Sequence, residues 1–359
     1  MRIADIRTPA MLVDIERVER NCHWMSQRAH ALKVKLRPHM KTHKIAEMGR
    51  MQTAGHFGGI TVSTIAEAHH FRAAGVDDIT LGVPIAPAKA REAVGMGLNL
   101  LVDSMKAIDA IESACDSGST VDVWLKVDCG YGRAGVNPKD ALAVAVADRL
   151  WRHERIRFAG LLTHGGHSYD CVGQQAILTV AQQERDAVVA FAAQLRAIGM
   201  EVPGVSVGST PTMMHVDHLE GVTEIRPGNY AMFDGFQASI GSCGSDQIAG
   251  SVLATVLSVH ADRAIVDAGA LAMSKDAGHG DQGFGRILDL DGVPLEGLQL
   301  VGLSQEHGKV KGPELSRLSV GDRVRIPPNH SCLAMACFDE VHAVRGGVVE
   351  AVWRPCRGW

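Results

Sequence analysis

Three consecutive stretches decide the fold: FAGLLTH at Phe158–His164, QQAILTVAQQERDAVVAFAAQLRAI at Gln174–Ile198, and GVSVGS at Gly204–Ser209. The first and last are short apolar runs of strand length. Between them Ile177, Val180, Ala181, Val188, Phe191 and Leu195 return every three or four residues, the period of one helical face. Strand, long helix and strand make one βαβ unit, whose two strands are parallel. Working outward, the unit repeats. The runs Val34–His39, Gly59–Thr64, Asp78–Val83, Asn99–Ser104, Asp122–Asp128 and Glu224–Met232 predict six more strands. Helical spacing at Ile65–Ala74, Ala88–Met96, Ser104–Ala114 and Pro138–Ala147 predicts helices between them. Eight such repeats predict an α/β fold, a (β/α)8 TIM barrel. A doubly wound open sheet would place a GxGxxG turn after its first strand, and none is present.

The texture changes near residue 240. Val252–His260, Arg263–Asp267, Arg323–Ile326 and Val341–Val352 predict strands without long helices, the last broken by a turn at Arg345-Gly346-Gly347. The expected organisation is a barrel over 15–240 and a smaller, mainly-β C-terminal domain over 241–359, joined by residues 1–14 through an opening strand, Pro9–Asp14. With 36 basic and 40 acidic side chains among 359 residues, the formal charge is −4, which excludes the basic surface of a nucleic-acid binder. No run of 18 apolar residues predicts a membrane span. The first residues, MRIADIRTPAMLVD, lack the basic and apolar regions of a secretory signal, so a cytoplasmic protein is expected. The eight cysteines form no CxxC pair and read as reduced thiols. The 17 histidines are the unusual feature, because imidazole both ligates metals and moves protons near neutral pH.

In such barrels chemistry sits at the C-terminal ends of the strands. The first strand ends in Arg37-Pro38-His39-Met40-Lys41-Thr42-His43-Lys44, the fifth in Asp128-Cys129-Gly130-Tyr131-Gly132-Arg133, the sixth in Thr163-His164-Gly165-Gly166-His167-Ser168-Tyr169. The seventh ends in Gly208-Ser209-Thr210-Pro211-Thr212, and the eighth carries Arg226-Pro227-Gly228-Asn229-Tyr230. Small and hydroxyl residues at the last two positions suit a phosphate, held by backbone amides. A lysine at the first strand end together with a phosphate cradle is the arrangement that holds pyridoxal 5′-phosphate. On the β domain, Pro328-Asn329-His330-Ser331-Cys332 places an imidazole and a thiol at i and i+2, which on a strand share one face and offer two ligands to a borderline metal.

The Arg37–Lys44 block, Thr61-Val62-Ser63-Thr64, Gly208–Thr212, Arg226–Tyr230 and Ser304-Gln305-Glu306-His307-Gly308 resemble the D-serine dehydratase/D-threonine aldolase family, within the alanine racemase-like, fold-type III pyridoxal phosphate enzymes. The resemblance runs over essentially the whole chain. It implies that Lys41 is the Schiff-base lysine and that Lys44 is not. It further implies that Arg133, His164, Tyr169, Gly208, Ser209, Thr210, Gly228 and Asn229 contact the cofactor. It makes His330 and Cys332 the ligands of a divalent metal, zinc foremost with manganese or magnesium as alternatives, and puts Glu306 or His307 behind them. The implied partner is a small amino acid, and the implied assembly a homodimer. The implied reaction is metal-assisted β-elimination from a β-hydroxy-D-amino acid, as in D-serine dehydratase, giving a 2-oxo acid and ammonia. Cys332 leans to this side, because aldolase-type members typically carry His-x-Asp. Retro-aldol cleavage to glycine and an aldehyde, as in D-threonine aldolase, is the alternative, as is a 3-hydroxy-D-aspartate lyase. A racemase needs a second acid/base, usually a tyrosine of the β domain, and the three tyrosines, Tyr131, Tyr169 and Tyr230, all fall in the expected barrel segment. A non-catalytic pyridoxal phosphate carrier would lack the second domain, and a metal-binding structural module would show no cofactor absorbance.

Overall fold

A computed structural model describes residues 1–116, 118–280 and 282–359. The chain divides into two compact units: a barrel unit of residues 25–41, 52–228 and 357–359, and a sheet unit of residues 1–24, 42–51 and 229–356.

The barrel unit holds eight parallel strands in the order Lys35–Leu36, Glu224–Ile225, Gly204–Val207, Ile156–Leu162, Val121–Lys126, Asn99–Val102, Ile79–Pro84 and Ile60–Val62. The ring closes between the first and last of these through a parallel bridge, His39 to Thr61, and a 2.9 Å bond from the Thr61 amide to the Pro38 carbonyl. Each observed strand falls within or beside a run expected from the sequence. Val121–Lys126 is buried at five of six positions, as a parallel strand covered on both faces must be. Two glycines let neighbouring strands meet. Gly160, at φ +132°, pairs with Gly204, and a Cβ on Gly160 would stand 2.0 Å from the Gly204 carbonyl oxygen. The Trp124 ring fills the space that side chains there would take.

The helix Gln174–Ala197 shows how the outer layer is held. Its apolar stripe is buried as the spacing predicts, and Phe191 is only 2% exposed. Truncating such a residue to alanine costs about 3–5 kcal/mol. The helix stops at Gly199, whose φ of +86° lets the Gly199 and Met200 amides bond back to Arg196 and Leu195.

The sheet unit is a nine-stranded sheet in the order Ala264–Val266, Gly308–Lys311, Pro294–Leu303, Gly285–Leu288, Arg323–Ile326, Gly250–Val259, Ala10–Asp14, Val341–Arg345 and Val348–Trp353. An added pairing of Ala264–Val266 with Gly250–Val259 closes six of them into a ring. The opening strand Ala10–Asp14 joins this sheet, antiparallel to Gly250–Val259 and parallel to Val341–Arg345. The expected turn at Arg345-Gly346-Gly347 is a hairpin with both glycines at positive φ, 53° and 76°. Among the described residues, no helix is long and apolar enough to cross a membrane.

Candidate active site

On the barrel unit, the strand Lys35–Leu36 runs into the turn Met40–Thr42, on which Lys41 is exposed. His39 braces that turn: its Nδ1 accepts the Lys41 amide at 3.3 Å and its Nε2 lies 3.5 Å from Ser63 Oγ. His164 ends the strand Ile156–Leu162 two residues on, and its Nδ1 meets the Gly208 carbonyl at 3.1 Å. A carbonyl only accepts, so Nδ1 carries the proton and Nε2 keeps its lone pair. Both imidazoles are held well below the usual histidine range. Desolvation is the largest cause for each, followed by Lys41 and Arg226 for His39 and by Lys126, Lys41 and Arg133 for His164. Lys126, at the end of its strand, is pushed down to about 7 by burial and by Arg226 and Arg133. Arg226 is buried and lowered to about 10 by desolvation, while it donates to Ser206 Oγ and the Thr163 carbonyl.

Lys41, Arg133 and Arg226, with Lys126 held near neutrality, thus act on two histidines that burial keeps uncharged, while Glu184 and Glu224 offset part of the positive charge on Arg226. Such a group suits an anionic occupant. The remaining expected contacts lie at the neighbouring strand ends. Gly208 adopts φ +119°, and Ser209 caps the short helix Thr210–His215, its Oγ 3.0 Å from both Thr212 Oγ1 and Ser168 Oγ. A Cβ on Gly228 would stand 2.5 Å from the His39 carbonyl oxygen, so glycine alone fits beside the lysine-bearing segment. The Arg133 guanidinium lies 5.1 Å from the centre of the Tyr131 ring, and Tyr169 is half-buried in the turn Gly166–Asp170. His167 stacks on Tyr131 at 6.1 Å, and both its ring nitrogens are buried without a hydrogen-bond partner among the described residues. A buried polar atom left so is costly unless an occupant meets it.

On the sheet unit the His-x-Cys pair departs from the expected strand. His330 is the extended N-cap (φ −129°, ψ 96°) of the helix Ser331–Ala336, and Cys332 lies in the first turn of that helix. The two side chains meet because an extended cap precedes a helical residue, not because a strand alternates. Asp276 accepts from His330 Nδ1 in a short hydrogen bond, which leaves Nε2 as the nitrogen for a metal. Burial opposes charge on His330, but the bonded sulfur of Cys332, then Asp276 and Asp234, outweigh it and raise the ring to about 9. Cys332 Sγ also donates to Thr42 Oγ1 at 3.3 Å, and Thr42 follows Lys41 in the chain.

Asn229 belongs with this unit. Its Nδ2 donates to Asp234 Oδ2 at 2.9 Å and to Ser331 Oγ at 3.1 Å, so its side chain supports the His-x-Cys segment rather than the Gly208–Thr210 turn. The buried Asp234 also accepts the Ser331 amide at 3.1 Å. Glu306 and His307 are exposed in the turn after Pro294–Leu303, and the carboxylate on His330 is that of Asp276 instead. Asp276, Asp234 and Lys126 escaped the sequence reading. Among the described residues, no group of three His, Cys, Asp or Glu converges as a closed metal site. Two protein donors with open positions suit a catalytic metal, not a structural one.

Residues 13–234 match the alanine racemase N-terminal domain family, and residues 249–344 match the putative serine dehydratase domain. The chain is 39% identical to the D-threo-3-hydroxyaspartate dehydratase of Delftia sp. (strain HT23), over 98% of each chain. It is 34% identical to the D-serine dehydratase of Dictyostelium discoideum, over 99% of this chain and 98% of that protein. It is 31% identical to the D-threonine aldolase of an Arthrobacter species, over 98% and 92%. The solved Delftia dehydratase superposes with a TM-score of 0.95 at 38% identity, covering both chains fully. A cysteine-to-alanine mutant of it, described as metal-free, superposes at 0.94 with 37% identity over both whole chains. With both domains matched in order, the chain belongs to the alanine racemase-like D-serine dehydratase/D-threonine aldolase family.

Proposed function

We propose that this chain is a pyridoxal phosphate-dependent, metal-assisted lyase of β-hydroxy-D-amino acids that eliminates the β-hydroxyl, leaving a 2-oxo acid and ammonia. The observation that carries this reading is that one chain holds two differently built centres: cations around Lys41 on the barrel unit, and His330 with Cys332, backed by Asp276, on the sheet unit. The cation-rich strand ends fit the cofactor's phosphate and phenolic oxygen, and the two-donor set fits a divalent metal, with zinc favoured by the thiolate. Pyridoxal phosphate, when bound, supplies an electron sink for charge developing at the α-carbon. A metal on His330 Nε2 and Cys332 Sγ supplies Lewis acidity for the departing hydroxyl.

The chain's own groups do the rest. Lys41 would hold the cofactor through Nζ, and the same atom would serve as the base for the α-proton. His39 holds the Lys41 turn, and the neutral His164 presents its face and Nε2 without adding charge. Gly208, Ser209, Thr210 and Gly228 would hold the phosphate, and Arg133 and Tyr169 would lie by the ring. Asp276 fixes the His330 tautomer. Retro-aldol cleavage uses the same groups with a proton removed from the hydroxyl, and the 31% identity to an aldolase keeps it as the second reading. The assembly is proposed to be a homodimer, which sedimentation velocity checks. Incubation with D-serine, D-threo-3-hydroxyaspartate and D-threonine decides the reaction. Pyruvate, oxaloacetate or 2-oxobutyrate with equimolar ammonia is the expected outcome, and glycine as the main product would overturn elimination.

A further inference from the structure

Glu184 is out of place by any folding argument. It sits on the buried stripe of the helix Gln174–Ala197, between Ala181 and Val188, and is 0% exposed. A carboxylate there is costly to desolvate, and an apolar side chain of similar size would serve the helix better. Its Oε1 accepts two backbone amides at once, Gly165 at 2.6 Å and Gly208 at 2.9 Å. Those amides belong to two different strand-end segments. One runs over residues 164–168, the other over 208–210. The same two segments are tied again by His164 Nδ1 to the Gly208 carbonyl and by Ser168 Oγ to Ser209 Oγ. Both amide donors come from glycines. A Cβ on Gly165 would stand 3.1 Å from Glu184 Cδ, and Gly208 needs its φ of +119°. The second oxygen, Oε2, is buried without a hydrogen-bond partner among the described residues, and its charge acts on Lys126 and Arg226.

We propose that Glu184 is a positioning residue for the cofactor site: by clasping the Gly165 and Gly208 amides on one oxygen, it fixes the spacing between the segment that flanks the cofactor ring and the segment that holds its phosphate. The inference rests on the proposed cofactor and adds a residue that no contact with that cofactor would reveal. A bound molecule that spans two segments is held well only where their separation is set beforehand.

The test compares wild-type protein with Glu184→Gln, Glu184→Asp and Gly165→Ala. For each, pyridoxal phosphate is titrated by absorbance, the visible circular dichroism of bound cofactor is recorded, and the thermal midpoint is measured without cofactor. Glutamine keeps the accepting oxygen and is expected to bind within about threefold of wild type. Aspartate is one methylene short of reaching both amides, and its dissociation constant is expected to rise about tenfold or more, with an altered dichroic band. Gly165→Ala pushes on the carboxylate from the other side and is expected to follow Glu184→Asp, which keeps the test intact should the aspartate variant fail to fold. A lowered midpoint with unchanged affinity would make Glu184 merely structural and overturn the inference. Glutamine losing as much as aspartate would overturn the clasp. Wild-type protein that binds no pyridoxal phosphate would overturn the proposed function itself, and the inference with it.

Discussion

Histidine is treated in opposite ways by the two units. On the barrel unit His39 and His164 are held well below their ordinary range by desolvation and by neighbouring cations. On the sheet unit His330 is raised to about 9 by Cys332, Asp276 and Asp234 in spite of its burial. Burial disfavours the charged ring in all three; neighbouring cations add to that on the barrel unit, and neighbouring acidic groups overcome it on the sheet unit. The proposed phosphate-bearing cofactor matches the first setting and the proposed divalent cation the second.

The sharpest way to break the contrast is to remove the group on which each centre depends. Lys41→Ala is expected to lower kcat by about a thousandfold or more, because anchor and base are lost together, and to abolish the visible absorbance of bound cofactor. Unchanged kcat would remove the barrel centre from the chemistry. Next in size, Cys332→Ala or His330→Ala is expected to abolish stoichiometric metal in atomic absorption and to lower kcat by about a hundredfold or more, with cofactor absorbance retained. Full activity after exhaustive chelation would separate metal from reaction. Asp276→Asn tests the support behind the donor: metal affinity is expected to fall about 10–100-fold while the cofactor still binds.

The pH dependences give the two smallest effects, with opposite signs. Metal must displace the proton held on His330, so apparent metal affinity is expected to climb by at least about tenfold per pH unit from neutrality and to level off near pH 9. A flat profile would contradict the anionic surroundings of His330. For His39 and His164 the folded state resists a proton that the unfolded chain accepts below its ordinary value of 6.5. Stability of the cofactor-free protein is therefore expected to fall as pH drops through and below about 6.5, with uptake of up to about two protons on unfolding. Urea midpoints across that range check it.

Particular residues show where the sequence was readable. Alternation of buried runs with helical stripes placed all eight barrel strands, because both periods are local properties of the chain. The three strands Gly285–Leu288, Pro294–Leu303 and Gly308–Lys311 went unseen. Pro294–Leu303 buries only two of its ten residues, so its side chains carry no sustained apolar alternation. His330 and Cys332 were legible as a pair through their spacing, but their cap-and-helix geometry was not, since Ser331 looks the same on a strand or a helix. Asp276 reaches His330 across 54 residues, and no local pattern announces a contact of that range. Glu184 did leave a signal. It stands at the stripe's own spacing, and a charged side chain in an apolar row is the trace that a buried functional acid leaves in a sequence.

The seam that closes the barrel has a further consequence. Among the described residues, the backbone pairing between the first strand and the Ile60–Val62 strand is the single His39–Thr61 bridge with its Thr61 amide bond, whereas the strands Val121–Lys126 and Ile156–Leu162 are paired along six positions. The residue that makes this bridge also braces the turn of Lys41. A ring opened at this join would release the turn that carries Lys41 from its brace, so the setting of that lysine depends on closure of the barrel.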